Sequence, residues 1–301
     1  MTAQQVPDVF STLQCATCRV SHPIWTSSVQ SGHLFAGPGQ LQCGGCGAIY
    51  PVRHGYLDLH PGYTEPVSPI QRLMQFPPAV AVYEGIWRPL GYFIASQHSF
   101  PKDADRITSL IQQREGLILD LACGPGTVTR RIARLAPRSM VIGFDLSPQM
   151  LERAVRLTAR EGLENVFYMR GSALSLPFKP ESFDAVTCCG ALQLFSDQDQ
   201  AVGEIARVVK LHGEFVCQTT FWRGRPPLFV RLADRLLKFG YFYLDELRDR
   251  LERFNFDLQA EEQSKITYIF RAAKARIGPM TPKTESLSQA SWLQQAAPSA
   301  D

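Results

Sequence analysis

The feature that most constrains the fold is the stretch from Leu117 to Met150, which reads LILDLACGPGTVTRRIARLAPRSMVIGFDLSPQM. An apolar run ends in Asp120, a loop of small residues follows, and a second apolar run ends in Asp145. Between the two runs, apolar residues recur at the i, i+4, i+7 spacing of one helical face: Val128, Ile132 and Leu135. The stretch therefore predicts a strand, a glycine loop, a helix and a second strand, which is the βαβ arrangement that holds nucleotide-like ligands.

The glycine loop indicates which kind of nucleotide is held. Glycines let the backbone come close to a ligand where a Cβ would clash, and Asp145 lies 21 positions after Gly124, where an acid meets ribose hydroxyls. Thr129 stands where a dinucleotide fingerprint has its third glycine, and no Walker-type Gly-Lys-Ser/Thr occurs. Asp120 would repel a pyrophosphate but can bind an ammonium group. These features favour S-adenosylmethionine, a cationic amino acid joined to a phosphate-free adenosine.

At these residues the chain resembles the class I S-adenosylmethionine-dependent methyltransferases. Residues 120–127, DLACGPGT, are similar to the first motif of that family, and residues 143–150, GFDLSPQM, to the second. The alternative, an ordinary βαβ unit with turn glycines, is disfavoured because both motifs occur at the right spacing. The resemblance implies an α/β fold with a Rossmann-like, seven-stranded methyltransferase sheet.

The resemblance extends to a third cofactor motif and shows two departures. Residues 171–178, GSALSLPF, are similar to a family motif whose acid meets the adenine amino group, but Ser172 replaces that acid. A hydroxyl still accepts a hydrogen bond, without the charge-assisted strength. Relatives often carry two histidines near Leu192 and Gln193, and this chain does not. The catalytic residue is therefore left unknown.

The cofactor-binding residues that the resemblance implies come from these motifs and from an aromatic helix before them. That helix contains Tyr83 and Trp87, which either line the roof of the active site or pack on the sheet. The predicted contacts are Tyr83, Asp120, Ala122, Gly124, Gly126, Asp145, Leu146, Met150, Ser172, Ala173 and Cys189.

Four of the eight cysteines predict a metal site near the N-terminus. Cys15, Cys18, Cys43 and Cys46 form C-x2-C, 24 intervening residues and C-x2-C, which in a reducing compartment indicates one tetrahedral Zn²⁺ site. A redox dithiol and a degenerate site are the alternatives. The phrase after the second pair, residues 48–59, resembles the end of zinc ribbons fused to some methyltransferases. The histidines His22, His33 and His54 are spare, because four thiolates satisfy the metal.

The other four cysteines are Cys123, Cys188, Cys189 and Cys217. Free cysteine behaves as a small buried hydrophobe, so packing is their default role. A nucleophilic role, as in pyrimidine C5-methylation, is the alternative for Cys188 or Cys189. The family form of that chemistry has a proline before the cysteine, and this sequence lacks it.

The predicted domain order is a zinc ribbon at 11–60, a Pro-rich linker and aromatic cap helix at 61–100, the methyltransferase domain at 101–277 and a disordered tail at 278–301. Prolines mark the linker, since each fixes φ and removes a donor. Farther on, Leu228, Leu232 and Leu236 follow helical spacing with basic residues between them. This pattern leaves peripheral contact with a membrane surface open.

Composition sets the remaining expectations. A net charge of +3 is too weak to argue for nucleic acid, and no apolar run reaches the roughly 18 residues of a membrane span. The first residues lack the basic and apolar regions of a signal peptide. The predicted address is the cytoplasm, with a small-molecule acceptor as the expected partner and a protein partner of the ribbon left open.

Three functional classes compete. The preferred one is a methyltransferase acting on a small, lipophilic acceptor, quinone-, polyketide- or lipid-like, because the core resembles quinone-biosynthesis C-methyltransferases, and the ribbon, linker and cap helix resemble cyanobacterial and plastid methyltransferases. The second is an rRNA or tRNA base methyltransferase that uses the ribbon for RNA recognition, which the missing Asn/Asp-Pro-Pro-Tyr/Phe motif and the lack of a dense basic run disfavour. The third is a catalytically silent cofactor-binding scaffold.

Overall fold

The computed structural model describes residues 9–20, 39–60, 100–224, 226–237 and 240–276. Residues 61–99 of the predicted linker and cap helix, with Tyr83, lie outside the described residues, as do His22, His33 and the predicted tail. Within the described ranges, no helix has both the length and the apolar character needed to cross a membrane.

The described chain alternates strands and helices from residue 100 onward. The strands are β1 Gln40–Gln42, β2 Ile49–Arg53, β3 Tyr56–Asp58, β4 Glu115–Leu121, β5 Arg138–Asp145, β6 Val166–Arg170, β7 Phe183–Cys189, β8 Val209–Trp222, β9 Phe242–Tyr243, β10 Phe256–Ser264 and β11 Thr267–Lys274. The helices are α1 Phe100–Leu110, α2 Thr127–Leu135, α3 Pro148–Arg160, α4 Gln198–Val208, α5 Leu228–Leu237 and α6 Leu244–Arg253.

These strands form one mixed sheet in the order β1-β2-β3-β6-β5-β4-β7-β8-β11-β10, with β9 paired to β8. Strands β4 to β8 are parallel to one another, and β11 and β10 are antiparallel additions. The run from β6 to β10 contains the seven strands expected from the sequence, so the predicted α/β methyltransferase sheet is confirmed.

Three N-terminal strands lengthen this sheet beyond the prediction. Strand β3 pairs in parallel with β6, with Leu57 opposite Met169 and Asp58 opposite Arg170. Leu57 is fully buried. The predicted zinc ribbon at 11–60, here called the N-terminal module, thus contributes its last strand to the main sheet.

Helices cover both faces of the sheet and bury an apolar layer on each. Helices α1, α2 and α3 cover one face through residues such as Ile107, Ile132 and Leu151. Helices α4 and α6 cover the other through Ile205 and Leu247, and the N-terminal module packs on the same side. Full burial of one such side chain is worth about 1.5–3 kcal/mol, so the two layers supply the main stabilising term.

Helix α5 forms where the leucine spacing predicts it, but its leucines face outward. Leu228, Leu232 and Leu236 are 77%, 56% and 65% exposed. Arg231 and Arg235 are exposed on the same helix. The helix therefore presents an apolar ridge, here defined as these three leucines, beside basic side chains.

Candidate functional site

The candidate site lies where the strand order of the sheet reverses. Strand β4 is followed by β5 and β6 on one side, while β7 and β8 lie on its other side. Ligands of open α/β sheets bind in the crevice outside the carboxyl ends of the strands at such a switch. All predicted cofactor contacts in the described residues lie at or just beyond the carboxyl ends of β4, β5, β6 and β7.

The glycine loop after β4 adopts the backbone shape that its composition predicts. Gly124 and Gly126 have φ angles of +54° and +74°, which side chains disfavour. A methyl group on Gly126 would come within 2.4 Å of Tyr168 Oη, so only glycine fits against that ring. At Gly124 an added Cβ would meet no described atom within 4 Å, which leaves open space for a ligand beside the backbone.

Asp145 links the glycine loop to the next loop. Its Oδ2 accepts a hydrogen bond from Gly124 N at 2.8 Å, and its Oδ1 accepts one from Ser147 N at 2.9 Å. Burial raises the pKa of Asp145, although backbone hydrogen bonds from Ser147, Gly124 and Leu146 oppose the rise. The carboxylate thus lies at the tip of β5 beside the open side of Gly124, as a ribose-binding acid requires.

Asp120 is buried beneath the loop, with 1% of its surface exposed. Thr129 donates a hydrogen bond to Oδ2 at 2.5 Å, and Thr187 donates one to Oδ1 at 2.8 Å. The described contacts are therefore those of a residue that fixes α2 and β7 to the end of β4. Direct contact with a ligand ammonium group stays a prediction. No local sequence pattern indicates that Thr129, which fills the third-glycine position, and Thr187 donate hydrogen bonds to this acid.

The loop after β5 carries Leu146 and leads into α3. Ser147 caps that helix, with its Oγ accepting from Met150 N at 3.4 Å, and Pro148 occupies the first turn. Arg170 Nε donates to Leu146 O at 3.0 Å. Met150 is buried and Leu146 is half-buried, and contact of either with the cofactor stays a prediction.

The loop after β6 carries Ser172 and Ala173. Ser172 is buried at 8% exposure, and its Oγ accepts a hydrogen bond from Leu174 N at 3.1 Å. The hydroxyl therefore shapes its own turn, and the serine predicted to meet adenine is held in a fixed position.

The carboxyl end of β7 supplies Cys189, which is half-buried, and Cys188, which is fully buried. A sulfur packed in the core cannot contact a substrate, so Cys188 is excluded as a nucleophile. Gln193, near which the family resemblance implies histidines, donates through Nε2 to Gly190 O at 3.1 Å and accepts from Thr219 Oγ1 at 2.9 Å. Its amide is used for loop structure, and no catalytic base is assigned.

The four N-terminal cysteines converge on one point, with their Sγ atoms all within 4.8 Å of one another. Cys15 and Cys46 are 3.6 Å apart, and Cys18 and Cys43 are 3.7 Å apart. Tetrahedral zinc with Zn–S bonds of about 2.3 Å places its sulfurs ~3.8 Å apart, whereas a disulfide needs ~2.05 Å. The cluster therefore fits a zinc ion and does not fit two disulfides. His54 contacts Glu152 at 3.8 Å instead, so it plays no part in the cluster.

Hydrogen bonds prepare one of these thiols to bind a cation. Burial raises the pKa of Cys15, but hydrogen bonds from Tyr50 and the backbone of Cys18 and Thr17 outweigh it and lower that pKa to about 6. Tyr50 Oη lies 3.1 Å from Cys15 Sγ. The lowered pKa of Cys15 favours its thiolate form, which is the form that ligates metals.

Comparison with known proteins identifies a methyltransferase domain within this chain. Residues 118–213 match the family model described as a methyltransferase domain. A chloroplastic protein of Arabidopsis thaliana, named as an uncharacterized methyltransferase, is 31% identical over 69% of this chain. The demethylmenaquinone methyltransferase of Thermus thermophilus is 40% identical over 33% of this chain. The matches span less than two thirds of these relatives, 63% and 44% of their lengths.

Among solved structures, the chain is similar to geranyl diphosphate C-methyltransferase from Streptomyces coelicolor, solved with geranyl diphosphate and S-adenosyl-L-homocysteine. The TM-score is 0.55 at 14% identity, and the match covers 71% of this chain and 92% of that one. At this identity the likeness concerns the fold.

Proposed function

We propose, because the chain carries a class I S-adenosylmethionine-dependent methyltransferase domain, that it transfers the methyl group of S-adenosylmethionine to a small, lipophilic acceptor. The observation that carries the proposal is the pairing of Asp145 with Gly124 at the strand-order switch, next to open space. It gives a ribose-binding carboxylate and a close backbone approach in one place. The likeness to a demethylmenaquinone methyltransferase supports an acceptor of quinone character.

The chain's residues act mainly by binding and orientation. S-adenosylmethionine supplies, when bound, a methyl group on a positively charged sulfur. Asp145 would accept hydrogen bonds from the ribose, Ser172 and Ala173 would border the adenine, and the backbone around Gly124 and Gly126 would approach the amino acid end. Alignment and exclusion of water then account for the rate, without a catalytic residue named on this chain.

We also propose that Cys15, Cys18, Cys43 and Cys46 hold one structural zinc ion. Structural zinc sites take four protein ligands and leave no open position, so the ion would stabilise the module and take no part in methyl transfer. Four free thiols need a reducing compartment. The cytoplasm meets that need, and so does a plastid interior, which the chloroplastic Arabidopsis relative occupies by its name.

The apolar ridge of helix α5 supports a further part of the proposal, contact with an anionic bilayer that carries the acceptor. Exposed leucines enter the boundary between headgroups and acyl chains, while Arg231 and Arg235 attract anionic lipid. A lipophilic acceptor resides in that boundary, so the enzyme would meet it there.

Two measurements test methyl transfer. Calorimetry should detect binding of S-adenosylmethionine and S-adenosylhomocysteine, and no binding of NAD or ATP; binding of a pyrophosphate compound instead would overturn the proposal. Incubation with methyl-labelled cofactor and fractionated cell extract should then label the lipid-soluble fraction. Label in the RNA fraction would favour an RNA base methyltransferase, and binding without label in any fraction would favour a silent scaffold.

A further inference from the structure

Residues 171–178, here called the adenine loop, are held from two sides. On one side lies helix α4. Glu204 Oε2 accepts a hydrogen bond from Leu176 N at 2.7 Å. Arg207 donates to Leu176 O at 2.9 Å and to Phe178 O at 2.6 Å. Neighbouring elements of a methyltransferase domain thus fix the far end of the loop.

The other side of the adenine loop is held by the N-terminal module. Arg19 donates to Leu176 O at 3.0 Å and also to Ser175 Oγ. Gln14 N donates to Pro177 O at 3.0 Å. The module therefore contacts the loop through backbone and side chain, three to five positions beyond the serine predicted to meet adenine.

Arg19 is positioned by the first cysteine pair. It follows Cys18 directly, its N–H donates to Cys15 O at 2.9 Å, and its φ angle is +60°. A non-glycine residue adopts this left-handed conformation only where the surrounding structure holds it there. Cys18 N in turn donates to Cys15 Sγ at 3.5 Å. The backbone of the cysteine cluster thus sets the direction of the Arg19 side chain.

A second contact joins the same module to the other cofactor loop. Arg170 Nη1 donates to Asp58 Oδ1 at 3.2 Å and to His60 O at 3.1 Å, while its Nε donates to Leu146 O. Asp58 belongs to β3 and Leu146 follows the ribose-binding acid. The module therefore supports the loops on both the ribose side and the adenine side of the crevice.

We propose that Arg19 is a positioning residue of the cofactor site, and that metal occupancy of the cysteine cluster sets cofactor affinity through Arg19. The ion would fix the backbone from Cys15 to Cys18, and this backbone orients Arg19. Arg19 then holds Ser175 and Leu176, so that the adenine loop is ordered before the cofactor binds. This inference rests on the proposed function, since it assumes that the adenine loop meets the cofactor. It gives the N-terminal module a role in methyl transfer without contact with substrate.

The test compares zinc-loaded full-length variants by calorimetry with S-adenosylhomocysteine. Arg19→Ala should weaken binding roughly tenfold, because a charge-assisted pair of hydrogen bonds is lost. Arg19→Lys should recover part of the affinity, and zinc content should stay at the wild-type level. Arg156→Ala is the control, since Arg156 is 63% exposed on α3 and its ion pair, with Glu152 at 4.0 Å, lies within that helix. Equal affinity of Arg19→Ala and the control would overturn the proposal.

The link to the metal is tested by removing it with a chelator. Metal removal should weaken cofactor binding by the wild type about as much as Arg19→Ala does in the metal-loaded protein. Metal removal from Arg19→Ala should weaken binding little further, because the substitution and the loss of metal release the same loop. Equal further losses in the two proteins would show that the metal does not act through Arg19.

Amide hydrogen exchange without cofactor separates this inference from the proposed function. The amides of Ser175 and Leu176 should exchange faster in Arg19→Ala than in Arg156→Ala, while those of β4 stay protected. If the wild type bound no cofactor but this difference appeared, the proposed function would fail and the positioning contact would stand. If the amides of the adenine loop exchanged equally fast in both variants, Arg19 would not order that loop, whether or not the protein binds the cofactor.

Discussion

The Asp145 carboxylate and the Gly124 amide, 21 residues apart, are joined by a hydrogen bond of 2.8 Å. The bond connects the tip of β5 to the left-handed turn after β4. One residue therefore both shapes the glycine loop and offers its remaining acceptor capacity to a ligand. A change at Asp145 should affect loop order and ligand affinity together.

Cofactor affinity should fall as the solution is made acidic, because Asp145 takes up a proton. Burial raises the pKa of this carboxyl, so it takes up a proton at a higher pH than an ordinary aspartate does. The ionised form accepts hydrogen bonds from ribose hydroxyls; affinity is thus full above the raised pKa and is lost as the pH falls through it. Calorimetry with S-adenosylhomocysteine from about pH 8 to about pH 5 measures this.

Asp145→Asn is the matched variant for that titration. It should bind roughly tenfold more weakly at neutral pH, because an amide offers one acceptor oxygen and no charge. Its affinity for S-adenosylhomocysteine should also no longer fall as the pH is lowered. If the affinity of the variant depended on pH as that of the wild type does, the titrating group would be a residue other than Asp145.

Gly126→Ala should destabilise the fold more than Gly162→Ala does. Both glycines have left-handed φ angles, +74° and +64°, so alanine is strained at either by more than about 1 kcal/mol. Only at Gly126 would the methyl group also meet Tyr168 Oη, at 2.4 Å, whereas Gly162 has open space. Urea denaturation of both variants gives the difference. Equal losses would mean that Tyr168 moves aside at no cost.

Cys46→Ser should abolish stoichiometric zinc with little direct effect on packing. Cys46 is exposed, whereas Cys15 and Cys43 are buried, so its substitution reports on metal binding most cleanly. Metal analysis should find one zinc ion per wild-type chain, and the melting temperature of the variant should be lower. Cys189→Ser, which lies outside the cluster, should keep its zinc. Zinc retained by Cys46→Ser would point to another ligand.

Asp58→Ala should cost about 3–5 kcal/mol of stability, since it leaves the guanidinium of Arg170 without its buried partner. The side chains of Asp58 and Arg170 are 5% and 16% exposed. Arg53→Ala is the control, because Arg53 contacts the same acid at 3.5 Å from a position that is 57% exposed. Exposed pairs contribute about 0–1 kcal/mol, so the control should unfold almost as the wild type does. Chemical denaturation measures both, and equal losses would contradict the assignment.

Replacing the three leucines of the apolar ridge with serine should reduce binding to vesicles that contain anionic lipid. Each Leu→Ser change removes apolar surface that would enter the bilayer boundary, and roughly tenfold weaker binding is expected for the triple variant. Leu135→Ser is the control, as Leu135 is 50% exposed on α2. Vesicle co-sedimentation measures the effect. If the triple variant and the control bind alike, the ridge does not touch the membrane.

The sequence predicts the central sheet well and the contacts across it poorly. The βαβ unit from Leu117 to Asp145 follows from apolar runs and helical spacing, because these are local signals. The pairing of β3 with β6 joins residues 112 positions apart, Leu57 with Met169, and leaves no local pattern. The same holds for Arg19 on the adenine loop and for Thr187 on Asp120. Such contacts depend on how distant segments meet in the folded chain.

For the leucines of α5 the local structure was predictable, but their exposure to solvent was not. Their spacing correctly predicts a helix, but spacing alone does not say which neighbour covers the apolar face. Leu228 is 77% exposed, so this periodicity marks a surface and not the core.

The pairing of β3 with β6 also covers a sheet edge that would otherwise be open to other chains. Without β3, β6 would be the outermost strand of the parallel sheet, and its free N–H and C=O groups would offer a template to any other chain. The N-terminal module closes that border with a three-residue strand. Removing residues 1–60 should therefore yield a domain prone to edge-to-edge association, so a self-associating truncate would say nothing about the role of zinc.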